Sequence, residues 1–370
     1  MKNRVCHLTS VHQKLDTRIF WKECVSLQRA GFDVCLVVAG AADDVVEGVK
    51  IYGVRKFANR FVRILRSGKP VLEKALEIDA DLYHFHDPEL LSVGVKLVRH
   101  GKRVVYDSHE DLPRQILTKP WIPKFLRGLV SRIVEFVENR RVHKMSAVVT
   151  ATPHIQERFQ KVTAAPVVSV CNYPIINEIT DSTEWTERQR AVCYVGGLFR
   201  ERGIFEMVRA VGKADVRLKL AGSFSPASLQ SEVEKEIAWK LVDYHGFIGR
   251  KEINSLLGES MAGLLLLHPM PSYIASLPIK LFEYMAAGIP VICSDFKLWR
   301  DIVEGSGCGV CVNPFDIEGA AAAISDIVDN PERAREMGSN GRKAVLEKYS
   351  WNTQSKILLD LYNSLLDRQI

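Results

Sequence analysis

Lys280 and Glu283 stand three residues apart in the run SLPIKLFEYMAAGIPVICS, residues 276–294, a spacing that puts an ammonium and a carboxylate on one helix face. Their neighbours Ile279, Leu281, Phe282, Met285, Ala286 and Ala287 are apolar, as on a helix buried on most sides. Charges kept on such a helix suit a ligand better than solvent: the cation can meet a diphosphate and the carboxylate can accept from ribose hydroxyls. The pattern predicts a helix with Ser276 as N-cap, Pro278 in its first turn and Gly288 as its stop. Apolar runs on either side, Leu264–Leu267 and Val291–Cys293, read as buried strands. Strand, loop, helix, strand is a βαβ unit. Its helix N-terminus points out of the sheet's carboxyl end, where free N–H groups and the helix dipole hold phosphates. The segment reads as a nucleotide-sugar site.

A second segment, Tyr194-Val-Gly-Gly-Leu-Phe-Arg-Glu-Arg-Gly203, ends a strand in two glycines and carries Arg200 and Arg202 ahead of a helix near Ile204. Gly196 and Gly197 allow close backbone approach, and a guanidinium fork matches phosphate oxygens. Gly222-Ser223 ends the next strand, and His245-Gly-Phe247-Ile248 lies on the one after.

The first half carries a different chemistry. Asp81-Leu-Tyr-His-Phe-His-Asp87 ends a strand with His84, His86 and Asp87, and alternation puts the two histidines on one face. The pair is followed by Asp-Pro and a helix rather than by further metal-ligand spacing, so no metal site is expected. Tyr106-Asp-Ser-His-Glu110 adds His109 and Glu110 to the same rim. The loop Ser10–Arg18 offers Asp16 or Thr17 as a helix cap. It also brings His12, Asp16 and Arg18 to where they can contact an acceptor or a donor phosphate.

The elements that position these residues alternate. In the first half VCHLTS, FDVCLVVAG, DLYHFH, RVVYDS and SAVVTAT read as strands, with a helix near Ile19–Ala30 and helical segments between the others. After a polar break from Asn172 to Gln189 the series resumes with AVCYVGG, VRLKLAGS, DYHGFIG, GLLLLH, PVICS and CGVCV. Strands alternating with helices predict parallel, doubly wound sheets. The tail is helical from Ile317, and Trp351–Leu366 is a last amphipathic helix.

At 370 residues, 47% apolar and 25% charged, the chain has the size of two domains and the composition of a soluble globular enzyme. No apolar stretch approaches a membrane span and no secretory leader precedes the first strand, so a cytoplasmic location is expected. The eight cysteines lie mostly in apolar runs, as reduced core cysteines do; Cys308-Gly-Val-Cys311 lacks a second pair and reads as a strand of small residues. Residues 1–172 hold 28 Lys and Arg against 18 Asp and Glu, whereas residues 173–370 hold 22 against 26. The excess suggests an anionic partner for the first half. Arg60, Arg63 and Arg66 beside Phe61, Ile64 and Leu65 form one cationic stretch with apolar neighbours. Lys119, Lys124 and Arg127 beside Trp121, Phe125 and Leu126 form another, and both suit an anionic membrane surface as well as a solvated helix face.

The motifs from Tyr194 to Trp351 above all, and the alternation along almost the whole chain, resemble the family 4 retaining glycosyltransferases, in particular bacterial ones that assemble glycans and polysaccharides. The resemblance implies the GT-B fold, an α/β architecture of two doubly wound Rossmann-like domains facing a central cleft. It implies an N-terminal acceptor-binding domain over 1–172, a linker over 173–189 and a C-terminal nucleotide-sugar-binding domain over 190–350. A last helix over 351–370 would return to the first domain. The implied activity is a metal-independent hexosyl transfer, with retention, from a nucleotide-diphosphate sugar to a hydroxyl acceptor such as a glycan or lipid-linked glycan. No cofactor and no nucleic-acid partner is implied, and the place of work is the cytoplasm or the inner face of the cell membrane.

Carried over residue by residue, Arg202 and Lys280 hold the donor diphosphate and His86 lies near the transferred sugar. Backbone at Phe247 and Ile248 meets the base, Gly196, Gly197 and Ser223 lie near the phosphates, and Glu283 binds ribose. Ser276, Leu277 and Pro278 line the pocket. The family pattern usually has Arg at position 197 and Lys at 202, and a glutamate at 275 where this chain has Ala275; the first two departures resemble a recognisable subgroup. His12, Asp16, Arg18, Asp87, His109 and Glu110 fall to the acceptor side. Two rivals remain at this point: a nucleotide-sugar epimerase or hydrolase, with Asp87, Glu110 and Asp16 as its rim carboxylates, and a non-catalytic sugar-nucleotide-binding scaffold.

Overall fold

The computed structural model describes residues 2–117, 119, 121–179 and 185–366, with the side chain of Phe61 outside the described part. Its contacts divide the chain into two units, Met1–Asn172 with Asn352–Ile370, and Tyr173–Trp351. Part of the stretch expected as a linker, residues 180–184, falls outside the described residues.

The first unit is built on strands β1 (Arg4–Thr9), β2 (Asp33–Ala39), β3 (Asp44–Val46), β4 (Val49–Val54), β5 (Leu82–Phe85), β6 (Arg103–Ser108), β7 (Ala147–Thr150) and β8 (Val167–Ser169). They lie in the order β3-β4-β2-β1-β5-β6-β7-β8, parallel except for the β3–β4 pair. The edge strands β3 and β8, and β4 beside β3, are not legible as strands in the sequence, because short half-exposed runs such as Asp-Val-Val carry little periodicity. Chain order reverses between β1 and β5, the switch point of a doubly wound sheet.

The two faces of this sheet differ in kind. Cys6, Leu8, Tyr83, Phe85, Val104, Tyr106 and Val148 pack with Val71 and Ala75 of helix Gly68–Ile78 and with Leu91, Val93 and Leu97 of helix Leu91–Arg99 in one apolar core. Alternation turns His7, His84, His86 and Asp107 to the opposite face, where all four are buried. Register sets them side by side, with His7 opposite His84 across β1–β5 and Phe85 opposite Tyr106 across β5–β6. The covering elements are Thr17–Arg29 and the last helix, Trp351–Leu365, whose Tyr362 reaches His84 and His7. Thr17–Cys24 is a π-type stretch, with Trp21 N–H donating to the Asp16 carbonyl at 3.2 Å, rather than the regular helix expected near Ile19–Ala30.

The second unit has strands β9 (Ala191–Val195), β10 (Arg217–Ala221), β11 (Val242–Gly246), β12 (Ala262–Leu265), β13 (Val291–Ser294) and β14 (Gly309–Val312), in the order β11-β10-β9-β12-β13-β14, all parallel. Order reverses between β9 and β12, so the loops after these two strands flank the switch point. Among the described residues no helix is long and apolar enough to cross a membrane.

The polar stretch before β9 is tied down at its end. Arg188, buried, donates from Nη1 to the carbonyls of Leu257, Gly258 and Ser260 at 2.8–3.0 Å and lies over the Trp185 ring at 4.7 Å. Replacing it leaves these carbonyls without that donor inside the protein. Arg188→Met is expected to destabilise the Tyr173–Trp351 unit by about 3 kcal/mol. Urea unfolding followed by tryptophan fluorescence measures this, and an unchanged midpoint would show that the guanidinium contributes nothing net.

Candidate functional site

The donor-type residues meet at the carboxyl end of β9. Gly196 adopts φ 135°, outside the range of ordinary side chains, and a Cβ there would fall on the end of the Lys280 side chain. The ammonium of Lys280 therefore lies directly against the Gly196 backbone, with its Nζ 5.4 Å from the centre of the Tyr194 ring. Arg202 comes from the other side. Its Nη1 donates to the Gly197 carbonyl at 3.3 Å, and its guanidinium lies over Phe199 at 4.9 Å. A side chain at position 197 would approach the Phe199 ring to 2.6 Å and Arg202 Nη1 to 3.2 Å. Glycine at 197 is thus the condition for this placement of Arg202.

Two cations so close, half-buried and facing one loop, repel. Burial first, and then the charge of Arg202, push Lys280 down to about 8, with Glu283 only partly offsetting them. A group poised in this way takes up an anion readily. Glu283 itself is buried and accepts from Arg250 Nη1 at 2.7 Å. Arg250 was not singled out by sequence, because it opens the helix Arg250–Glu259 among ordinary surface charges and only the fold brings it to Glu283.

The helix that carries Lys280 spans Ile279–Ala286 and has Pro278 at its N-cap, not Ser276. The Ser276 hydroxyl donates instead to the Tyr273 carbonyl at 2.9 Å, closing the preceding turn Pro271–Ile274, and its own carbonyl accepts from Trp299 Nε1 at 2.7 Å. Ser276, Leu277 and Pro278 are half-buried ahead of the helix. Ser223 is exposed beyond β10, Phe247 is 87% exposed just after β11, and Ile248 is half-buried.

The first unit gathers its residues around Asp107. Arg18 Nη2 donates to both Asp107 oxygens at 3.1 Å, Arg18 Nη1 donates to the Val170 carbonyl at 2.8 Å, and Arg18 Nε lies 3.1 Å from Glu23. Arg18 is 5% exposed, so the expectation that it meets an acceptor is corrected: its fork is committed inside the unit. The Arg18 charge, then His109, hold the Asp107 carboxyl well below the usual range against its burial. His86 pairs with His7 Nδ1 through Nε2 at 2.9 Å and with Asp107 through Nδ1 at 3.1 Å. Burial outweighs the carboxylate and pushes His86 down to about 4, a neutral ring at neutral pH.

His86 is thus sealed, and the half-buried member is His109, which pairs with Asp107 through Nε2 at 2.9 Å. His12 is half-buried beside it and pairs with Asp87 at 3.1 Å. Asp87 accepts from Ser10 N–H at 2.6 Å and Thr9 Oγ1 at 2.9 Å, and it sits at about 2. Burial alone would raise Asp87; the bond and charge of His12 outweigh it. Asp16 caps its stretch by accepting from Arg18 and Ile19 N–H, both at 2.9 Å, while Glu110 is exposed and pairs with Gln115. Asp107, Glu23, His7 and Tyr362 escape a sequence reading because each sits in an apolar or amphipathic pattern with no motif of its own.

Two parallel α/β units, one with a basic double-glycine loop at its switch point, are the architecture called GT-B. Residues 20–172 match the model of glycosyltransferase family 4, and residues 176–344 match the model of glycosyl transferases group 1. The chain belongs to these glycosyltransferases, one model describing each half. Glycogen synthase of Mycobacterium tuberculosis is 22% identical over 251 residues, 64% of this chain. The chain spans 59% of that relative's length. Alpha-galactosylglucosyldiacylglycerol synthase of Streptococcus pneumoniae is 26% identical over 341 residues, 85% of this chain and 87% of that protein. HepE from Anabaena, solved in complex with UDP and glucose, has the same fold with a TM-score of 0.70 at 16% identity, covering 98% of this chain and all of that one.

The His12–Asp87 pair makes a titration testable. Burial lowers His12, but the hydrogen bond and charge of Asp87 more than reverse it, leaving His12 above its ordinary 6.5. A raised histidine contributes stability that is complete below 6.5 and fades as pH climbs through the folded value. Proton–carbon NMR should find the His12 midpoint above 6.5, and Asp87→Asn should lower it, since only the charges of Asp16 and Asp107 are then left to oppose burial. A midpoint unmoved by Asp87→Asn would remove the pair.

Proposed function

We propose that the chain transfers a sugar, with retention at the anomeric carbon, from a nucleoside-diphosphate sugar to a hydroxyl acceptor. The observation that carries this reading is the placement of Lys280 and Arg202 on either side of the Gly196-Gly197 turn at a sheet switch point, both charged and neither neutralised there by a carboxylate ion pair among the described residues. HepE, of the same fold, holds UDP and glucose, which supports a nucleoside diphosphate as the occupant. As the bond between the anomeric carbon and the phosphate oxygen breaks, negative charge collects on the diphosphate. Two preorganised cations stabilise that charge where it develops, with no ion of a metal called for at this place. The acceptor oxygen bonds to the anomeric carbon on the face the phosphate leaves, and the departing phosphate oxygen takes the acceptor's proton. Glu283, held by Arg250, accepts from the ribose hydroxyls. His109, oriented by Asp107, is the ring of the buried cluster with a face toward solvent and the group suited to contact the acceptor, with His86 acting through it.

The acceptor is proposed to be a lipid-linked glycan or a lipid, met at an anionic membrane surface. The helix Lys124–Val142 exposes Phe125, Leu129, Ile133 and Phe136 at 84, 58, 53 and 65%, on one face by their spacing of four, four and three. Trp121 is half exposed under Arg60 and Lys119, and Leu65 is 84% exposed. A polar acceptor would leave such a stripe without use. The Streptococcus pneumoniae relative is by name a synthase of a diacylglycerol glycolipid, which supports the same reading.

Three measurements test these statements. After a thermal-shift screen of UDP, GDP, TDP and CMP picks the nucleotide, transfer of radiolabelled sugar to membrane extract separates transfer from donor isomerisation and from mere binding. Arg202→Ala and Lys280→Ala should each cost about 3 kcal/mol, roughly a hundredfold in rate; near-normal turnover in the folded double variant sinks the diphosphate assignment. Because Lys280 sits at about 8, diphosphate binding at a pH above that value should draw in a proton. Calorimetry in buffers of different ionisation heats reads this uptake, and its persistence in Lys280→Met would assign it elsewhere. For the membrane, sedimentation with anionic vesicles should exceed that with neutral ones and weaken with salt. Arg63 is paired with Glu89 at 3.1 Å, so the variant that should abolish binding replaces Phe125, Leu129 and Phe136 with serine rather than the arginines. Equal sedimentation with both vesicle types, or with neither, points to a soluble acceptor.

A further inference from the structure

The buried face of the first sheet holds more donors of lone pairs than its hydrogen bonds use. His7 Nδ1 and His86 Nε2 share one hydrogen bond at 2.9 Å, whose proton a bound ion would displace, and Glu23 Oε2 lies 3.9 Å from each. His84 joins them: one ligand atom from each of His7, Glu23, His84 and His86 lies within 4.8 Å of the others. All four residues are fully buried. Among the described residues, His84 Nε2 and both oxygens of Glu23 make no hydrogen bond, and the nearest cation to Glu23 is the Arg18 guanidinium at 3.1 Å from Oε1. A lone pair left bare in a dry interior costs about 1–3 kcal/mol, and more for a carboxylate.

The outer nitrogens are, by contrast, held. His86 Nδ1 pairs with the Asp107 carboxylate at 3.1 Å, and the Tyr362 hydroxyl pairs with His84 Nδ1 at 2.7 Å and His7 Nε2 at 3.2 Å. An imidazole anchored by one nitrogen to a carboxylate or hydroxyl presents the other as a lone pair in a set direction, the arrangement that orients metal-bound histidines. Two atoms bound to one zinc at about 2.1 Å lie about 3.4 Å apart at the tetrahedral angle and at most about 4.2 Å apart. The three measured separations, 2.9, 3.9 and 3.9 Å, straddle that value.

We propose that His7, His84, His86 and Glu23 bind one divalent transition-metal ion of the zinc kind, with Asp107 and Tyr362 as the partners that orient its ligands. Three imidazoles and a carboxylate are a donor set that suits zinc and excludes magnesium and calcium, which take oxygen. The ion uses the orphaned Glu23 Oε2 and His84 Nε2. It has no exposed ligand, so it serves structure: it fixes His86 and, through Asp107, the orientation of His109. It also fastens the last helix, by Tyr362, and the π-type stretch, by Glu23, to the sheet. This departs from the expectation, drawn from the spacing of His84 and His86 alone, that no metal is bound. It stands apart from the donor site, and the test below does not read transfer.

The full chain, stripped with a chelator and titrated with Co²⁺, should take up about one equivalent and develop the visible absorption of a low-coordinate nitrogen and oxygen site, which Zn²⁺ then abolishes. Protein purified without chelator should carry zinc at about one equivalent by elemental analysis. Glu23→Gln and His84→Ala should each weaken cobalt binding by at least about tenfold, whereas His100→Ala, at an exposed helix end, should not change it. Far-UV circular dichroism checks each variant's fold; if either fails to fold, the titration of the unaltered chain decides alone. No cobalt spectrum in the folded chain, or binding equal in Glu23→Gln, overturns the proposal.

Discussion

The reversal of strand order, between β1 and β5 in one unit and between β9 and β12 in the other, is the constraint from which the rest of the molecule follows. At such a point adjacent parallel strands send their following segments to opposite faces, and the ends of the two strands are left uncovered by their own connections. In the second unit this opens the turn Gly196-Gly197 to Lys280 and Arg202, one from the helix after β12 and one from the loop after β9. In the first it opens the space beside β1 and β5 that His7, His84 and His86 occupy. Each group of functional side chains is local to its own sheet and gathers beside the point where strand order reverses.

The two groups solve opposite electrostatic problems. Lys280 and Arg202 are cations brought together with only part of their charge offset, and burial first, then the Arg202 charge, depress Lys280. Such a pair is destabilising in itself and becomes stable on meeting an anion, which is how a site preorganised for a charged leaving group behaves. The first unit instead buries two carboxylates, one guanidinium and three imidazoles in a dry face. A buried ion pair gains little over apolar packing, so retaining one this elaborate, over strands whose other face is an ordinary apolar core, is a cost that stability alone does not explain. What the cluster does provide is fixed orientation: Asp107 takes bonds from Arg18, His86 and His109, leaving the histidine at the surface with one ring position.

Tyr362 and Arg188 show how distant sequence enters these arrangements. Tyr362 lies 355 residues after His7 and contributes its hydroxyl to both His7 and His84. Arg188, in a stretch that looks like a polar connection, holds three carbonyls of the second unit. Neither residue is part of a motif. Both are single polar groups that meet backbone or ring partners which would otherwise be buried unpaired.

Much of this was legible in the amino-acid sequence. Short apolar runs separated by helical ones determine an α/β fold of two parallel sheets, and the family is written in the segments 194–203 and 276–294, where glycines, cations and apolar residues recur at spacings that local backbone geometry dictates. The faces of strands are local too, so the shared face of His84 and His86 followed from alternation alone. What the sequence did not determine is which of these polar residues face solvent. Arg18 and His86 read as surface contacts, yet both are buried, Arg18 with its fork on Asp107 and His86 between His7 and Asp107, partners distant in the chain. The cap at Pro278 rather than Ser276 was decided by Trp299 and Tyr273, and the partner of Glu283 by a helix thirty residues earlier. Secondary structure and face are properties of neighbours along the chain; burial, pairing and protonation are properties of neighbours in space, and only the tertiary structure supplies those.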